Sequence, residues 1–452
     1  MRAKRATPDA VGHALRRLTE REEERFMPST NRLAILCGGG PAPGLNSVIG
    51  AATIRALLSG VEVLGIQDGF RWLMEGSTDH ARFLSMEEVS RIHFSGGSII
   101  GIARSNPTKD LALLDRTIET LQSLGVDKLV TIGGDDTAFS AMKLAERSQG
   151  RLQVAHVPKT IDNDLDLPHG TPTFGFQTAR HVGVEIVKNL MNDARTTGRW
   201  YLVLTMGRTA GHLALGIGKA AGASVTIIPE EFGPGPIRLD TIVDTLAGSI
   251  IKRHAMGQSD GTAILAEGLI ERLHEEDLER FGTIQRDEHG HLRLAEVNLG
   301  EIVRNRLRQT LASFGLKPTL VVKDIGYELR CADPIPFDLE YTRDLGYCAA
   351  KFLLEGGSNA MVTLQSGHFT PIPFSRMLDP QTGRTRVRMV DVDSEHYKIA
   401  RRYMVRLRRD DFEDAGALAQ LASAVRLTPE EFRDRFSYVV ANEAPPLYLP
   451  LT

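Results

Sequence analysis

The chain has 452 residues, and at about 100–200 residues per domain this length predicts two to four domains. Hydrophobic residues make up 42% and charged residues 25%, values that are typical of folded globular domains and exclude extensive disorder. Lysine and arginine number 54 against 57 for aspartate and glutamate. The resulting net charge of −3 does not favour nucleic acid or an anionic membrane surface as a partner.

The cysteines and the apolar pattern indicate the compartment. Cys37, Cys331 and Cys348 are too few and too widely spaced for a disulfide framework or a zinc site, which favours a reducing environment. No apolar run reaches the roughly 18 residues of a membrane span, and residues 1–30 contain no signal-peptide core. We therefore expect a cytoplasmic protein that does not cross a membrane.

The sequence pattern changes at Asn31. Residues 1–30 are charged and carry apolar positions at helical spacing, so a peripheral helical extension is expected there. After Asn31, apolar runs such as RLAILC, KLVTIG, YLVLTM and TAILAE lead through glycine-rich turns into segments of helical periodicity. Continuous apolar strands that alternate with helices predict an α/β architecture with mainly parallel sheets.

Glycine is over-represented, with 43 residues where an average share of about 7% would give about 32. The first cluster is the turn CGGGPAPGLN, which follows a strand and precedes a helix. Backbone N–H groups and a helix N-terminus can bind an anion at such a turn. The turn matches neither GxGxxG nor a Walker A loop, so phosphate binding and a plain tight turn both stay open for Gly38–Asn46.

A later strand ends in GGDDT. Asp135 and Asp136 follow its two glycines directly, at the carboxyl end of a strand, where open α/β sheets bind ligands. Two adjacent carboxylates without a basic neighbour in sequence favour a hard cation such as Mg²⁺. The simpler alternative is that one of them caps the following helix.

The segment PKTIDND concentrates functional groups within a few residues. Lys159, Thr160, Asp162 and Asp164 supply a cation, a hydroxyl and two carboxylates. A carboxylate beside a transferred phosphoryl group can accept the proton of an attacking alcohol, and a lysine can neutralise charge on the phosphoryl oxygens. A calcium loop is excluded because a proline and an isoleucine interrupt the EF-hand pattern.

A further strand ends in MGR. Met206, Gly207 and Arg208 lead into a helix rich in small residues, and Arg199 lies on the approach to the same strand. A guanidinium at a strand end suits bidentate recognition of phosphate. An ordinary surface arginine is an equally good interpretation of either arginine alone.

In this order, GGDDT, PKTIDND and MGR resemble the phosphofructokinase family, and the resemblance extends from about Asn31 to about Tyr347. It implies an enzyme that transfers a phosphoryl group to the 1-hydroxyl of fructose 6-phosphate, with Mg²⁺ as cofactor and with neither nucleic acid nor membrane as partner. The alternative from another class is a non-catalytic regulatory subunit, against which the complete set of polar motif residues argues.

The resemblance also implies the phosphofructokinase fold: two Rossmann-like three-layer domains with mainly parallel sheets, plus helical N- and C-terminal extensions. The phosphoryl-donor and Mg²⁺ domain is expected in residues 31–175 with part of about 331–375. The sugar-phosphate domain is expected in residues 176–330. Residues 1–30 form the N-terminal extension, and residues 376–452 form a C-terminal helical segment that packs on the domains.

The match implies a role for each motif residue. Asp162 is the expected general base for the sugar hydroxyl, with Lys159 and Thr160 as its catalytic neighbours, and Asp135 is the expected Mg²⁺ ligand. The expected donor-binding residues are Gly39, Gly40, Gly44, Arg104, Asp136 and Lys159. The expected sugar-phosphate-binding residues are Thr160, Asp162, Arg199, Met206, Gly207, Arg208, Glu267, Tyr327 and Arg330. Arg199 is expected to reach the substrate of a neighbouring subunit, which implies a homodimer or homotetramer.

Two motif positions bear on the phosphoryl donor. ATP-dependent members of the family typically have glycine where this chain has Asp136 and Lys159, whereas pyrophosphate-dependent members typically have this pair. An aspartate places bulk and negative charge where the α-phosphate and ribose of a nucleotide would lie, and a lysine adds the positive charge that compact pyrophosphate needs. We therefore predict pyrophosphate as donor in a reversible reaction. ATP is the alternative donor, and sedoheptulose 7-phosphate is an additional candidate acceptor.

Overall fold

Two β-sheets with helices on their faces organise the protein, whose computed structural model describes residues 31–278, 298–379, 385–441 and Glu443. The extension predicted in residues 1–30 lies outside these ranges. The strands in chain order are β1 (Arg32–Cys37), β2 (Glu62–Ile66), β3 (Ala81–Phe83), β4 (Val126–Gly133), β5 (Gln153–Thr160), β6 (Phe174–Gly175), β7 (Arg199–Thr205), β8 (Val225–Ile227), β9 (Gly261–Ala266), β10 (Thr319–Ile325), β11 (Ala360–Met361), β12 (Leu364–Gln365), β13 (His368–Phe369) and β14 (Ile372–Pro373).

Helices connect most of these strands. The α-helices are α1 (Leu45–Leu57), α2 (Arg71–Glu75), α3 (Met86–Val89), α4 (Leu111–Ser123), α5 (Asp135–Ser148), α6 (Phe176–Thr197), α7 (His212–Ala221), α8 (Leu239–Ala255), α9 (Glu275–Leu278), α10 (Leu299–Ser313), α11 (Tyr327–Arg330), α12 (Pro336–Leu354), α13 (Glu395–Tyr403), α14 (Asp410–Glu413), α15 (Ala415–Ala424) and α16 (Pro429–Phe436). None of the helices in the described ranges is both long and apolar enough to span a bilayer.

The larger sheet has the strand order β14-β11-β5-β4-β1-β2-β3, and β6 pairs with β5. Its strands are parallel except for β3 and β14, which are antiparallel at the two edges. Both faces are covered: Leu33 and Ile35 pack against α1 and α12, while Ala34 and Leu36 pack on the side of α4 and α5. This two-sided burial explains why β1 reads as an unbroken apolar run.

The smaller sheet has the order β10-β7-β9-β8 and is entirely parallel. Trp200 and Leu202 face a core shared with α8 and α10, and Tyr201 and Val203 face a core shared with α6 and α7. The predicted α/β class with mainly parallel sheets is therefore confirmed. The division of the chain into domains stays a prediction.

The C-terminal helices complete the core of the smaller sheet. Leu421 on α15 and Phe432 and Phe436 on α16 are buried in the same cluster as Trp200. The rings of Phe432 and Phe436 lie 4.9 Å apart. The C-terminal segment is thus part of the hydrophobic core and not an appendage on the surface.

Replacement of Phe432 by alanine tests this packing. Because Phe432 is fully buried, we expect the Phe432→Ala change to lower the free energy of unfolding by about 3–5 kcal/mol. Urea unfolding of proteins that also carry Trp72→Phe measures the loss, because the fluorescence then comes from Trp200, which lies in the same core. The control is Tyr403→Ala, since Tyr403 is 82% exposed and its removal should change the unfolding midpoint very little.

Candidate active site

A polar pocket lies at the carboxyl ends of β1, β4 and β5, against the loop that follows β7. Parallel strands bring their carboxyl ends to one edge of the sheet, which is where ligands bind in this architecture. Many of the residues predicted from the motifs line this pocket: Gly39, Gly40, Arg104, Asp135, Asp136, Lys159, Thr160, Asp162, Arg208 and Arg330.

The glycine turn after β1 forms one wall of the pocket. Gly39 has a left-handed backbone with φ 85°, and its N–H donates to the carbonyl of Ala103, which brings Arg104 beside the turn. The ammonium of Lys159 donates to the carbonyl of Gly40. A Cβ on Gly40 would lie 3.3 Å from Cζ of Arg330. The left-handed backbone thus favours glycine at position 39, and a side chain at position 40 would crowd the guanidinium of Arg330.

The cationic side chains of Lys159, Arg330 and Arg104 lie close together in a buried environment. Lys159 is only 4% exposed, and burial, assisted by the nearby charges of Arg330 and Arg104, lowers the pKa of its ammonium to about 8. Burial and Arg104 also lower the pKa of the Arg330 guanidinium. Crowded, partly desolvated cations make a strong site for a small ligand with several negative charges.

Carboxylates line the same pocket as the cations. The N–H of Asp162 donates to Oγ1 of Thr160 over 3.0 Å, and the N–H of Arg208 donates to Oδ2 of Asp162 over 3.3 Å. Burial, together with the charges of Asp162 and Asp135, raises the pKa of Asp164. Asp162 and Asp135 therefore both lie close enough to Asp164 to disfavour its charged form, and a cation bound near Asp164 would relieve this repulsion.

The acidic side of the pocket fits Mg²⁺. Within the described residues, no group of three or more His, Cys, Asp or Glu side chains forms an all-protein metal site, but Mg²⁺ usually binds through one or two carboxylates and the phosphates of a substrate. Asp135 and Asp136 have no basic neighbour in sequence, but the fold brings the guanidinium of Arg208 to within 3.8 Å of Asp136. The charge of Asp135 bears on Asp164, so Asp135 lies on the acidic side of the pocket and stays the predicted ligand.

Glu267 and its neighbours surround the loop after β7, next to the pocket. Oε2 of Glu267 accepts the N–H of Gly207 over 3.2 Å. Burial, together with the nearby charge of Asp162, raises the pKa of Glu267 to about 7. Met206 packs against the backbone of Gly326. Tyr327 is 68% exposed, and Arg330 stacks on its ring.

Six predicted residues do not line the pocket. Four of them lie in or beside the loop after β7, and they are Met206, Gly207, Glu267 and Tyr327; the other two are Gly44 and Arg199. Gly44 has φ 103° and precedes α1, and a Cβ there would lie 2.6 Å from the methyl group of Thr342, so close packing against α12 explains this glycine. Arg199 is the first residue of β7 and lies 3.6 Å from Asp193. A strand of this length spans about 20 Å, so Arg199 is remote from the pocket of its own subunit. Its contact with a neighbouring subunit stays a prediction.

The pocket also contains residues to which the motifs assigned no role. Asp164 belongs to PKTIDND and Thr209 follows MGR, so the signal for both was present in the motifs. Ser105 follows Arg104 directly. Val387 lines the pocket from the C-terminal segment, where no motif marked it.

Comparison with known proteins agrees with the geometry. A sequence model of the family described as "Phosphofructokinase" matches residues 32–353. The chain belongs to the phosphofructokinase family. It is 53% identical over 410 residues to the pyrophosphate–fructose 6-phosphate 1-phosphotransferase of Thermotoga maritima, covering 90% of this chain and 98% of that protein. The protein of the same name from Naegleria fowleri is 47% identical over 417 residues, covering 90% and 95% of the two chains.

The phosphofructokinase fold extends beyond the part matched by the family model. The crystal structure of a pyrophosphate-dependent phosphofructokinase from Marinobacter aquaeolei aligns with a TM-score of 0.63 at 15% identity, covering 93% of this chain and 94% of that chain. Its likeness shows the fold, including residues C-terminal to position 353. Phosphofructokinases generally use a divalent metal, which agrees with the acidic side of the pocket.

The depressed pKa of Lys159 predicts how anion binding depends on pH. The ammonium is charged below pH about 8 and loses its proton above it, so the affinity for pyrophosphate should fall as pH rises through this value. Loss of one charged hydrogen bond costs about 1.5–3 kcal/mol, or about tenfold to a hundredfold in affinity. Isothermal titration with pyrophosphate on both sides of pH 8 measures this change.

Matched variants distinguish the deprotonation of Lys159 from the deprotonation of pyrophosphate itself. Lys159→Met should bind pyrophosphate weakly at every pH and lose the transition near pH 8. Lys143→Met, at a more exposed position on α5, should retain it. An unchanged transition in Lys159→Met would contradict the assignment.

Proposed function

We propose that the protein transfers a phosphoryl group reversibly from pyrophosphate to the 1-hydroxyl of fructose 6-phosphate, giving fructose 1,6-bisphosphate and orthophosphate. The observation that carries the proposal is that Asp136 and Lys159 line one pocket together with Asp162. The names of the relatives from Thermotoga maritima and Naegleria fowleri support it.

The electrostatics of the pocket support pyrophosphate over ATP. Lys159, Arg104 and Arg330 supply positive charge for a compact and highly charged ligand. Asp136 lies in the first turn of α5 and brings a negative charge to within 3.8 Å of the Arg208 guanidinium. A nucleotide would have to place its α-phosphate and ribose beside this carboxylate, whereas pyrophosphate has no such groups.

The mechanism is an in-line displacement without a covalent intermediate on the protein. Asp162 accepts the proton of the sugar 1-hydroxyl, and the hydrogen bond from the N–H of Arg208 orients its carboxylate. The hydroxyl oxygen forms a bond to the transferred phosphorus as the bond to the bridging oxygen breaks, and orthophosphate leaves. Lys159 and Arg104 neutralise charge on the phosphoryl oxygens. Mg²⁺, for which Asp135 is the proposed ligand, supplies further charge neutralisation when it is bound with the donor.

The acceptor is proposed to bind next to the base. Besides Thr160 and Asp162, the residues assigned to the sugar phosphate within the subunit lie in or beside the loop after β7, and they are Met206, Gly207, Arg208, Glu267, Tyr327 and Arg330. Arg330 also packs against the glycine turn of the donor side, so it lies where it can contact the transferred phosphoryl group as well. In the reverse direction, the protonated Asp162 returns its proton to the sugar oxygen.

The proposed function also has implications for the oligomeric state of the protein and for its cellular compartment. Arg199 is too far along β7 to reach the pocket of its own subunit, so its phosphate contact requires a homodimer or homotetramer. Cys37, Cys331 and Cys348 are all free thiols, which supports the reducing cytoplasm as the location.

The donor is tested by comparing initial rates with Mg-pyrophosphate and Mg-ATP at equal concentration. We expect pyrophosphate to be much the better donor in the unaltered protein. Asp136→Gly should shift the ratio of rates towards ATP because it removes a negative charge and opens space. Glu146→Gly is the control, since it places a glycine on an exposed position of the same helix. A faster reaction with ATP in the unaltered protein would establish the ATP-dependent alternative.

The general base is tested by Asp162→Asn. An amide cannot accept the proton, so kcat should fall by about 10²–10⁴-fold, while binding of fructose 6-phosphate measured by titration should change little. Asp79→Asn removes an exposed carboxylate that does not line the pocket and should leave kcat nearly unaltered. Near-wild-type turnover of the Asp162→Asn protein would refute the assignment. A substrate panel on the unaltered protein decides whether sedoheptulose 7-phosphate is also accepted.

A further inference from the structure

A segment outside the matched family region contributes Val387 to the lining of the candidate active site. We call residues 385–392 the strap; it follows the last strand of the larger sheet and precedes α13. Val387 pairs with Leu165 in an isolated antiparallel bridge, and the N–H of Arg388 donates to the carbonyl of Asp164 over 2.6 Å. The strap is thus attached to the loop that carries Asp162.

The same segment is attached to the smaller sheet. The carbonyl of Arg388 accepts a hydrogen bond from Nε2 of His212, at the start of α7, over 3.1 Å. The N–H of Val390 donates to Oε1 of Glu230 over 2.9 Å, and the same oxygen accepts the N–H of Gly211. The strap therefore connects the loop of the base with the turn that follows Arg208.

The side chain of Arg388 makes the densest of these contacts. Its Nε and Nη2 donate to the carbonyl of Asn163 over 3.1 and 3.0 Å, and Nη2 also reaches Oδ1 of Asn163. Its Nη1 donates to the carbonyl of Thr171 over 3.0 Å. The planar guanidinium can serve several acceptors in one plane at once, which an ammonium cannot do.

These contacts act on the residue that directly follows the base. Asn163 has a left-handed backbone with φ 57°, an uncommon conformation for a residue other than glycine. Its Oδ1 accepts the N–H of Thr173 over 3.1 Å, and Arg388 contacts both its carbonyl and its side chain. The guanidinium is therefore one of the groups that hold this sharp turn directly beside Asp162.

We propose that Arg388 is a positioning residue for phosphoryl transfer: from the C-terminal strap, it holds the turn at Asn163 and thereby aims Asp162 at the acceptor hydroxyl. The inference rests on the proposed function, because it assigns Arg388 to the same reaction. Arg388 acts through Asn163 and does not itself touch the substrates.

Steady-state kinetics of Arg388→Ala test the proposal. A shift of about 1 Å at a reacting group can cost about 10²-fold, so we expect kcat to fall by about that factor. The dissociation constants for fructose 6-phosphate and pyrophosphate, measured by titration, should change by less than about threefold, because every other contact of both substrates is retained. Arg388→Lys should retain more activity than Arg388→Ala, but less than the unaltered protein.

Chemical rescue and a neighbouring arginine give the matched controls. Millimolar guanidinium should restore part of the kcat of Arg388→Ala, because the ion can occupy the emptied site, and should not accelerate the unaltered protein. Arg386→Ala removes an exposed side chain two positions away on the same strap and should have an unaltered kcat. Hydrogen exchange should be faster in Arg388→Ala at the amides of residues 162–166.

The results of these experiments distinguish a positioning role of Arg388 from a purely structural one. Unaltered kcat and exchange in Arg388→Ala overturn the proposal. Equal losses of turnover and substrate binding, without rescue by lysine or guanidinium, also overturn it, because they indicate a purely structural role. If the unaltered protein transfers phosphate from no donor, the proposed function fails instead, and the exchange of residues 162–166 still decides whether Arg388 holds the loop. If Arg388→Ala does not fold, Arg388→Lys supplies the same comparisons.

Discussion

The buried ammonium of Lys159 is the constraint from which the other features of the site follow. Two guanidinium groups, those of Arg330 and Arg104, lie near it, and its pKa is lowered to about 8. Such a cluster is unfavourable by itself, and the carbonyl of Gly40 and the nearby carboxylate of Asp162 partly offset the repulsion. A ligand with several negative charges stabilises it further. A chain with a net charge of −3 can therefore hold a strongly anion-binding site, because only the local arrangement of charges matters at this distance.

The parallel strands deliver the opposing charges to one place. β1 supplies the glycine turn, β4 leads to Asp135, β5 leads to Lys159 and Asp162, and β7 leads to Arg208. The first three strands belong to the larger sheet and β7 belongs to the smaller one. The hydrogen bond from the N–H of Arg208 to Asp162 thus joins the two sheets at the proposed base. The proposed reaction requires such a junction because donor and acceptor must meet in line.

Local sequence patterns were sufficient to predict many of the strands and much of the pocket. The apolar runs at β1, β4, β7 and β9 predicted the strands because both faces of each strand are buried. The rule that ligands bind at strand ends then identified most of the pocket. Contacts between distant parts of the chain could not be predicted in this way. The proximity of Arg208 to Asp136 and the packing of Thr342 on Gly44 depend on how separate elements meet, and no local pattern encodes that.

Arg388 is the clearest example of a residue whose contacts no local sequence pattern could predict. The sequence RVRMVD around it has no turn signature, no metal-ligand spacing and no helical periodicity, and its partner Asn163 is 225 positions away. Its importance depends on where the C-terminal segment is anchored. Phe432 and Phe436 bury that segment in the core of the smaller sheet, and the strap reaches from there to the loop after β5.

The strap is one of several contacts that join the two sheets at the site. The loop that carries Asp162 follows β5 of the larger sheet, and the strap bonds this loop to His212 and Glu230, which lie beside the smaller sheet. The donor side is connected across the same boundary, because Arg208 lies 3.8 Å from Asp136 and Arg330 packs on Gly40. The proposed base, donor site and acceptor site are therefore held together by contacts from both sheets. An in-line transfer requires this, since donor phosphorus, acceptor hydroxyl and base must be aligned at the same time.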